Sequence, residues 1–274
     1  MSLRAVFVGL GLVACELAGA QSYPDRPIRI INPFPAGGSG DVVMRTVADK
    51  LGVALGQAFV IEARPGASGA IATDYVAKAI PDGYTLILGT ASTFGTNSST
   101  QKSLPYDPVR DFAPIVMIAT TPYLLLAHPS VQAGSLKDLV GYARSNPDKL
   151  NFGSFGNGSS NHLAFELLKQ GTGIEAVHVP YKGGAPLIAA LLAGEVQTSL
   201  DVYATAIPHV KAGRFKLLGV ASAKRFSLLP DVRERLMSLG TEVAGGSPQD
   251  LATAVANEVD KWAKLVRARN LRFD

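Results

Sequence analysis

Twice in this chain a short apolar run leads through a glycine- and serine-rich loop directly into a helix-patterned segment. That repeated order limits the fold more than any other feature. The first instance is Ile28-Arg29-Ile30-Ile31, then Asn32 to Asp41 (Asn-Pro-Phe-Pro-Ala-Gly-Gly-Ser-Gly-Asp), then Val42 to Leu55. In the last segment Met44, Val47, Ala48, Leu51 and Leu55 recur at helical spacing. The second is Leu150-Asn151-Phe152, then Gly153 to His162, then a helix carrying Leu163, Leu167 and Leu168. Glycine allows a sharp turn and close backbone approach, and a helix N-terminus presents unpaired N–H groups. Together these can bind an anion without a cationic side chain. The same residues also fit a plain connection in which Ser39 or Asp41 caps the helix.

The rest of the chain continues the alternation. Strands are expected at Phe59 to Glu62, Tyr84 to Leu88, Val177 to Pro180, Val196 to Leu200 and Phe215 to Ala221. Helices are expected at Ala70 to Ile80, with Ile71, Val76 and Ile80 inward, from Ser135 to about Arg144, and from Ala185 to Ala193. The helix at Ser135 opens with capping-box spacing. From Phe94 to Asp111 no period survives, and the apolar runs Ile115 to Ala119 and Tyr123 to Ala127 can carry the chain between domains. Strand–helix alternation implies an α/β fold of parallel βαβ units, with ligands beyond the carboxyl ends of the strands. The stretches at those ends supply the candidate binding residues. They are Phe34, Ala36, Gly37, Gly38, Ser39 and Asp41; Thr90, Ser92 and Thr93; Ser154, Phe155, Gly156, Asn157, Gly158, Ser159 and His162; Tyr181; and Asp201.

Several function classes are disfavoured. The glycine spacing is not that of a dinucleotide fingerprint, and no lysine makes either loop a P-loop. Neither loop has the G-x-S-x-G turn, so an exported hydrolase using Ser154, Ser159 or His162 lacks a recognisable nucleophile elbow. The net charge of +4 is mild and its cations are scattered, which does not suggest nucleic acid. Cys15 is the only cysteine, and the four histidines lack ligand spacing, so no metal, cofactor or catalytic residue is expected.

At the N-terminus, Met1-Ser2-Leu3-Arg4, apolar Ala5 to Ala14, and Ala18-Gly19-Ala20 before Gln21 read as a signal peptide over residues 1–20. Leu12-Val13-Ala14-Cys15 also resembles a bacterial lipoprotein signal, with Cys15 as the lipidated residue. Both readings export the protein to the periplasm.

Pro33-Phe34-Pro35-Ala36-Gly37-Gly38-Ser39-Gly40-Asp41, Pro81-Asp82-Gly83-Tyr84-Thr85-Leu86, Tyr106-Asp107-Pro108, Asp111-Phe112-Ala113-Pro114-Ile115 and Val179-Pro180-Tyr181-Lys182-Gly183 occur in that order. This set resembles the Bug family, the extracytoplasmic solute receptors of tripartite tricarboxylate transporters. The resemblance implies a two-lobed fold like type II periplasmic binding proteins, a small carboxylate in the interlobe cleft, and membrane transporter components as partners. It implies no enzymatic activity and no cofactor, and a monomer is expected. Lobe 1 is expected to take residues 24–119 plus 230–274, and lobe 2 residues 120–229. One ligand carboxylate is expected at Ala36 to Ser39 and Thr90 to Thr93, and another at Ser154 to Ser159, held mainly by backbone N–H groups. Phe34, Phe155 and Tyr181 would shape the pocket. Lys182 is the cation close to these loops in the strand-end pattern; it reads either as a solvated residue beside a Gly-Gly turn or as a direct ligand contact, and its loss is expected to weaken binding less than about tenfold.

The sequence departs from the family at one place. Val232 runs directly into Arg233-Glu234-Arg235-Leu236, where the family carries roughly forty to fifty more residues, including the strand that returns the chain to the first lobe. A degenerate receptor with impaired binding is the alternative this raises. A C-terminal helix is still signalled by Ser247-Pro248-Gln249-Asp250 and the spacing of Leu251, Val255, Val259, Trp262 and Val266.

Intact-mass measurement on protein from its native compartment is expected to show a chain beginning at Gln21. A diacylglyceryl Cys15 at the N-terminus would overturn the soluble form.

Overall fold

The structure is a computed structural model of the 274-residue chain, and it describes residues 23–221, 242–243, 247–269 and 271. The first strand, β1 (Ile28–Asn32), buries Ile28, Ile30 and Ile31. Helix α1 (Ser39–Leu55) lays Met44 and Ala48 over Ile30, with Phe59, Ile61, Leu86 and Leu88 closing the cluster. Strands β2 (Phe59–Ala63) and β3 (Thr85–Ile87) flank β1, both parallel to it, in the order β2-β1-β3. Between them α2 (Ala70–Ala77) is shorter than expected. Its buried residues are Ala70, Ala72 and Thr73, whereas Ile71 and Ile80 are 55% and 76% exposed. The helix begins in a close approach, since a Cβ on Gly69 just before it would lie 2.6 Å from Thr93 Cγ2, and the residues it buries are Ala70, Ala72 and Thr73 instead of the isoleucines.

After β3 the chain enters a π-helical turn (Ser92–Thr96) and the one-turn helix α3 (Asn97–Thr100). The apolar run from Ile115 forms no strand until β4 (Ala119–Thr120), and β5 (Tyr123–Ala127) then opens the second lobe. There α4 (Leu136–Ser145), β6 (Asn151–Ser154), α5 (Ser160–Thr172), β7 (Val177–Pro180), α6 (Gly184–Ala193), β8 (Thr198–Val202), α7 (Tyr203–Lys211) and β9 (Lys216–Ala221) follow. The five-stranded sheet has the order β7-β6-β8-β5-β9. β6, β7 and β8 are parallel as the alternation implies, but β5 runs antiparallel to both β8 and β9. A strand that enters from another lobe has no preceding helix to reverse it, so its direction is free of the βαβ rule.

One core lies on each face of this sheet. Phe152, Phe165, Leu139 and Leu150 centre the first, with Phe152 and Phe165 stacked at 4.0 Å; Leu126, Leu187, Leu191 and Val196 centre the second. At the start of α4, Ser135 Oγ accepts from the Asp138 N–H at 3.2 Å and donates to its carboxylate at 2.8 Å, the expected box.

The C-terminal helix α8 (Pro248–Arg269) returns to the first lobe. Trp262 is buried over Gly95 of the π-helical turn and donates to Glu258 at 2.6 Å. The junction at Val232 lies outside the described residues. A return pairing is nevertheless present, because β10 (Glu242–Val243) pairs antiparallel with β4. It is only two residues long, and among the described residues the outer edge of β3 carries no strand. No described helix is long and apolar enough to cross a membrane.

Phe165→Ala is expected to destabilise by about 3–5 kcal/mol, since the ring is fully buried and stacked. Val53→Ser, at an 86% exposed site, should change stability by less than about 0.5 kcal/mol. Denaturant unfolding of both variants checks the pair.

Candidate functional site

Five strand-end and helix-end segments converge on a cavity of about 500 Å3 between the lobes. The first lobe contributes Phe34 after β1, Gly66 to Gly69 after β2, and Thr100 to Ser103 after α3. The second contributes Phe155 to Asn157 after β6 and Pro180 to Lys182 after β7. Ala67 and Ser68 adopt left-handed backbone angles (φ 46° and 51°), a strained state for residues with a side chain. Their carbonyls are held by Gln101 Nε2 at 2.9 Å and Asn97 Nδ2 at 3.2 Å. So fixed, Ser68 Oγ donates across the cleft to the Asn157 carbonyl at 2.7 Å.

The second loop approaches closely because it is glycine where it meets the first lobe. Gly156 (φ 137°) and Gly158 (φ 69°) would place a Cβ 3.0 Å from Ser68 Oγ and 2.5 Å from Thr100 Oγ1. A third junction is buried: the Ser160 N–H donates to Ser92 Oγ at 3.1 Å, the two hydroxyls are 3.2 Å apart, and Tyr123 OH lies 2.7 Å from Ser160 Oγ.

Some of the loop N–H groups expected to hold ligand carboxylates are engaged within the protein, most of them in the second loop. Phe34 donates to Asn32 Oδ1 and Gly37 to Asp41 Oδ2, each at 3.1 Å. In the second loop Phe155 donates to Asn161 Oδ1, Gly156 to Ser154 Oγ and Gly158 to His162 Nδ1, each at 3.1 Å. In the first loop, then, the chain's own Asp41 carboxylate takes the anion's place. Burial would raise its pKa, but the bonds from Arg45 and the Gly37 N–H outweigh that and hold it below the ordinary carboxylate value.

Of the sequence-read candidates, Phe34, Phe155, Gly156, Asn157 and Tyr181 line the cavity. Ala36, Gly37, Gly38 and Ser39 sit around the start of α1 and do not. Thr90 and Thr93 bond each other across the π-helical turn. Ser154, Gly158, Ser159 and His162 form the framework beneath the second loop, where Ser159 Oγ donates to the Gly156 carbonyl at 2.6 Å. Asp201 is fully buried, and its Oδ1 accepts from the Val202 N–H and Thr205 Oγ1 at the start of α7. Sequence reasoning did not single out Gly66 to Gly69, Thr100 to Ser103 or Pro180, while Lys182, read as the cation near the loops, does line the cavity. The first of these had a signal: Pro65 to Gly69 is a third glycine-bearing connection from strand to helix. Thr100 to Ser103 fall where the period is lost.

Similarity to known proteins matches this geometry. Residues 43–237 match the model of the tripartite tricarboxylate transporter family receptor. This chain belongs to that family. A UPF0065 protein of Pseudomonas sp. (strain P51) is 32% identical over an alignment covering 96% of this chain and 93% of the relative. That alignment runs to 314 positions, so it must skip positions inside a 274-residue chain. Among solved structures, an R. palustris protein with adipate is 34% identical with a TM-score of 0.84, over 89% of this chain and 97% of that one. The periplasmic binding protein BugD is 29% identical with a TM-score of 0.86, over 91% and 99%. The two-lobed α/β architecture of periplasmic binding proteins is therefore that of this family member as well.

The receptor family is one of solute binders, not enzymes. Among the described residues two Ser–His contacts occur, exposed Ser130 Oγ with His128 Nδ1 at 2.8 Å and, beneath the second loop, Ser154 Oγ with His178 Nε2 at 2.6 Å. Ser154 is fully buried and its hydroxyl also bonds the Gly156 N–H and carbonyl, so the contact supports the loop.

His178 stacks on His162 at 3.6 Å, and both rings serve the loop as neutral imidazoles. Burial, then the charges of His178 and Lys169, push His162 down to about 3; burial and Lys169 push His178 to about 4. Both are ordinarily near 6.5, so between that value and about 4 the unfolded chain binds more protons than the folded one. Their contribution is complete above pH 6.5 and is lost as pH falls through this window. Asp201 acts oppositely, because burial raises its carboxyl to about 7 and the folded chain keeps that proton. Stability should therefore fall with acidification by about 1.4 kcal/mol per pH unit for each net proton. Asp201→Asn is expected to steepen the fall, and His162→Gln with His178→Gln to flatten or reverse it. Urea unfolding across the window measures all three.

Proposed function

We propose that this chain is an exported, periplasmic receptor that captures a small carboxylate between its lobes and delivers it to the membrane components of a tripartite tricarboxylate transporter. The observation that carries the reading is the charge of the cleft. Among the described residues its lining contains no aspartate or glutamate, one lysine from each lobe (Lys102 and Lys182), and otherwise neutral side chains. A cavity of about 500 Å3 suits a small organic acid, and the adipate held by the R. palustris relative supports that class. Lobe 1 is assigned residues 24–119 with 230–274, and lobe 2 residues 120–229. The crossing at β4 and the packing of Trp262 on Gly95 support that division.

A second reading, a receptor with impaired binding, is favoured by the bare edge of β3 and the two-residue return pair. Against it, the described residues that line the cavity all precede Val232.

A thermal-shift screen of the protein without residues 1–20 against di-, tri- and monocarboxylic acids decides between them. An acid present at a hundred times its Kd should add about 2.7 kcal/mol of stability. No shift with any acid would sink the receptor reading, and turnover of generic esters would replace it with an enzyme.

A further inference from the structure

Hydroxyl contacts join the lobes at two depths. The deeper one, Ser92 with Ser160, is buried and touches Tyr123, the first residue of the strand that enters the second lobe. It therefore lies close to the crossing. The other lies in the wall of the cavity, where Ser68 Oγ donates to the Asn157 carbonyl at 2.7 Å. Thr100 Oγ1 also approaches the second loop, 3.5 Å from the Gly158 carbonyl, but it lies closer to the Thr96 carbonyl, at 3.1 Å. Two-lobed binding proteins open by rotation at the segments that cross between lobes. The bond on the cavity side is thus the one that opening must break.

Ser68 stands where a side chain is unfavourable. Its backbone angles (φ 51°, ψ 34°) are left-handed, a state that glycine adopts without steric cost. Strained residues of this kind persist where their surroundings hold them, and they gather at ligand clamps and switch regions. The surroundings here are buried: Asn97 Nδ2 donates to the Ser68 carbonyl and to Tyr106 OH, each at 3.2 Å, and Tyr106 donates to the Thr93 carbonyl at 2.7 Å. Ala67 shares the backbone state and offers no polar side chain, whereas Ser68 aims a hydroxyl at a peptide carbonyl of the other lobe. Gly156 leaves room for it, since a Cβ there would lie 3.0 Å from Ser68 Oγ.

We propose that Ser68 is a positioning residue that latches the second loop onto the first lobe, so that the closed cleft is populated before a ligand enters. Asn157 takes part through its backbone, so the acceptor does not depend on its side chain. The latch uses no ligand group and holds whichever solute is carried. A ligand then meets walls that are already assembled for part of the time, and its apparent affinity scales with that fraction.

Distances between spin labels test this with no ligand added. The chain beginning at Gln21 has no cysteine, since Cys15 is the only one, so Val53→Cys and Ser145→Cys place one label on each lobe. Val53 is exposed near the end of α1, and Ser145 is exposed at the end of α4. The labelled protein is expected to populate the interlobe distance of the present structure, alone or beside a second one. Ser68→Gly and Ser68→Ala should each lower the closed-to-open ratio by roughly three- to tenfold, which is what one net hydrogen bond contributes. Ser68→Gly also relaxes the backbone, so it should melt no lower than Ser68→Ala. A change confined to one variant would trace the effect to the backbone instead of the hydroxyl and overturn the latch. An unchanged distribution in both variants, or a protein that never populates the structure's distance, would overturn it as well.

Discussion

The contact on which the rest of the structure depends is the approach of the second glycine-serine loop to the first lobe. Gly158 sits where a Cβ would lie 2.5 Å from Thr100 Oγ1, and Gly156 where one would lie 3.0 Å from Ser68 Oγ. Removing two β-carbons lets the Asn157 carbonyl accept from Ser68 and brings Ser160 to Ser92. The strained pair Ala67 and Ser68 belongs to the same contact. Left-handed backbone at such residues costs on the order of 1–2 kcal/mol each, and here Asn97 and Gln101 hold it in place. The strained backbone is held from within the first lobe, and what it presents to the second lobe is the Ser68 hydroxyl.

A second constraint follows from backbone bookkeeping. Buried N–H groups must find partners, and a binding protein must satisfy them with or without its ligand. This chain satisfies them with side chains: Asp41 for the first loop, and Ser154, Asn161 and His162 for the second. The loops are consequently rigid before any ligand arrives, which limits the ordering cost of binding. A ligand oxygen that took over one of these N–H groups would have to displace an existing acceptor, and the net gain would be a difference between two similar bonds. Rigid loops with engaged donors give the cleft its shape, and the side chains facing it give it its chemistry.

How legible all this was in the sequence varied with the kind of interaction. Element order came through because it is local: apolar runs ending in glycine-rich loops place β1, β6 and the helices after them. The helix start at Ser135 was legible for the same reason, since both members of its box lie within one turn. What failed was set by distant neighbours. The inward face of α2 was misread: the helix enters at Gly69, which is pressed against Thr93 and Pro33, and it buries Ala70, Ala72 and Thr73. The antiparallel direction of β5 comes from a lobe crossing that no period encodes. In the binding region the aromatic residues were found, while Thr100 to Ser103 were not, since they reach the cleft through an irregular segment. Asp41 and Asp201 carry the same carboxyl group to opposite ends: one stays ionised through Arg45, the other is neutralised by burial, and only the fold separates them.

The shape of the first lobe bears on how such a cleft closes. Among the described residues its sheet ends at β3, and the crossing between lobes is braced by a two-residue pair of β4 with β10. A ladder that short resists bending weakly, so the brace contributes little to the choice between open and closed arrangements. Among the described residues the seam is spanned elsewhere by the Ser68–Asn157 and Ser92–Ser160 bonds. Helix α8 backs the second of these from within the first lobe, since its Trp262 packs on Gly95 of the same π-helical turn that carries Ser92. The position of the buried serine junction is in this way set by the packing of the C-terminal helix on that turn, as well as by strand pairing.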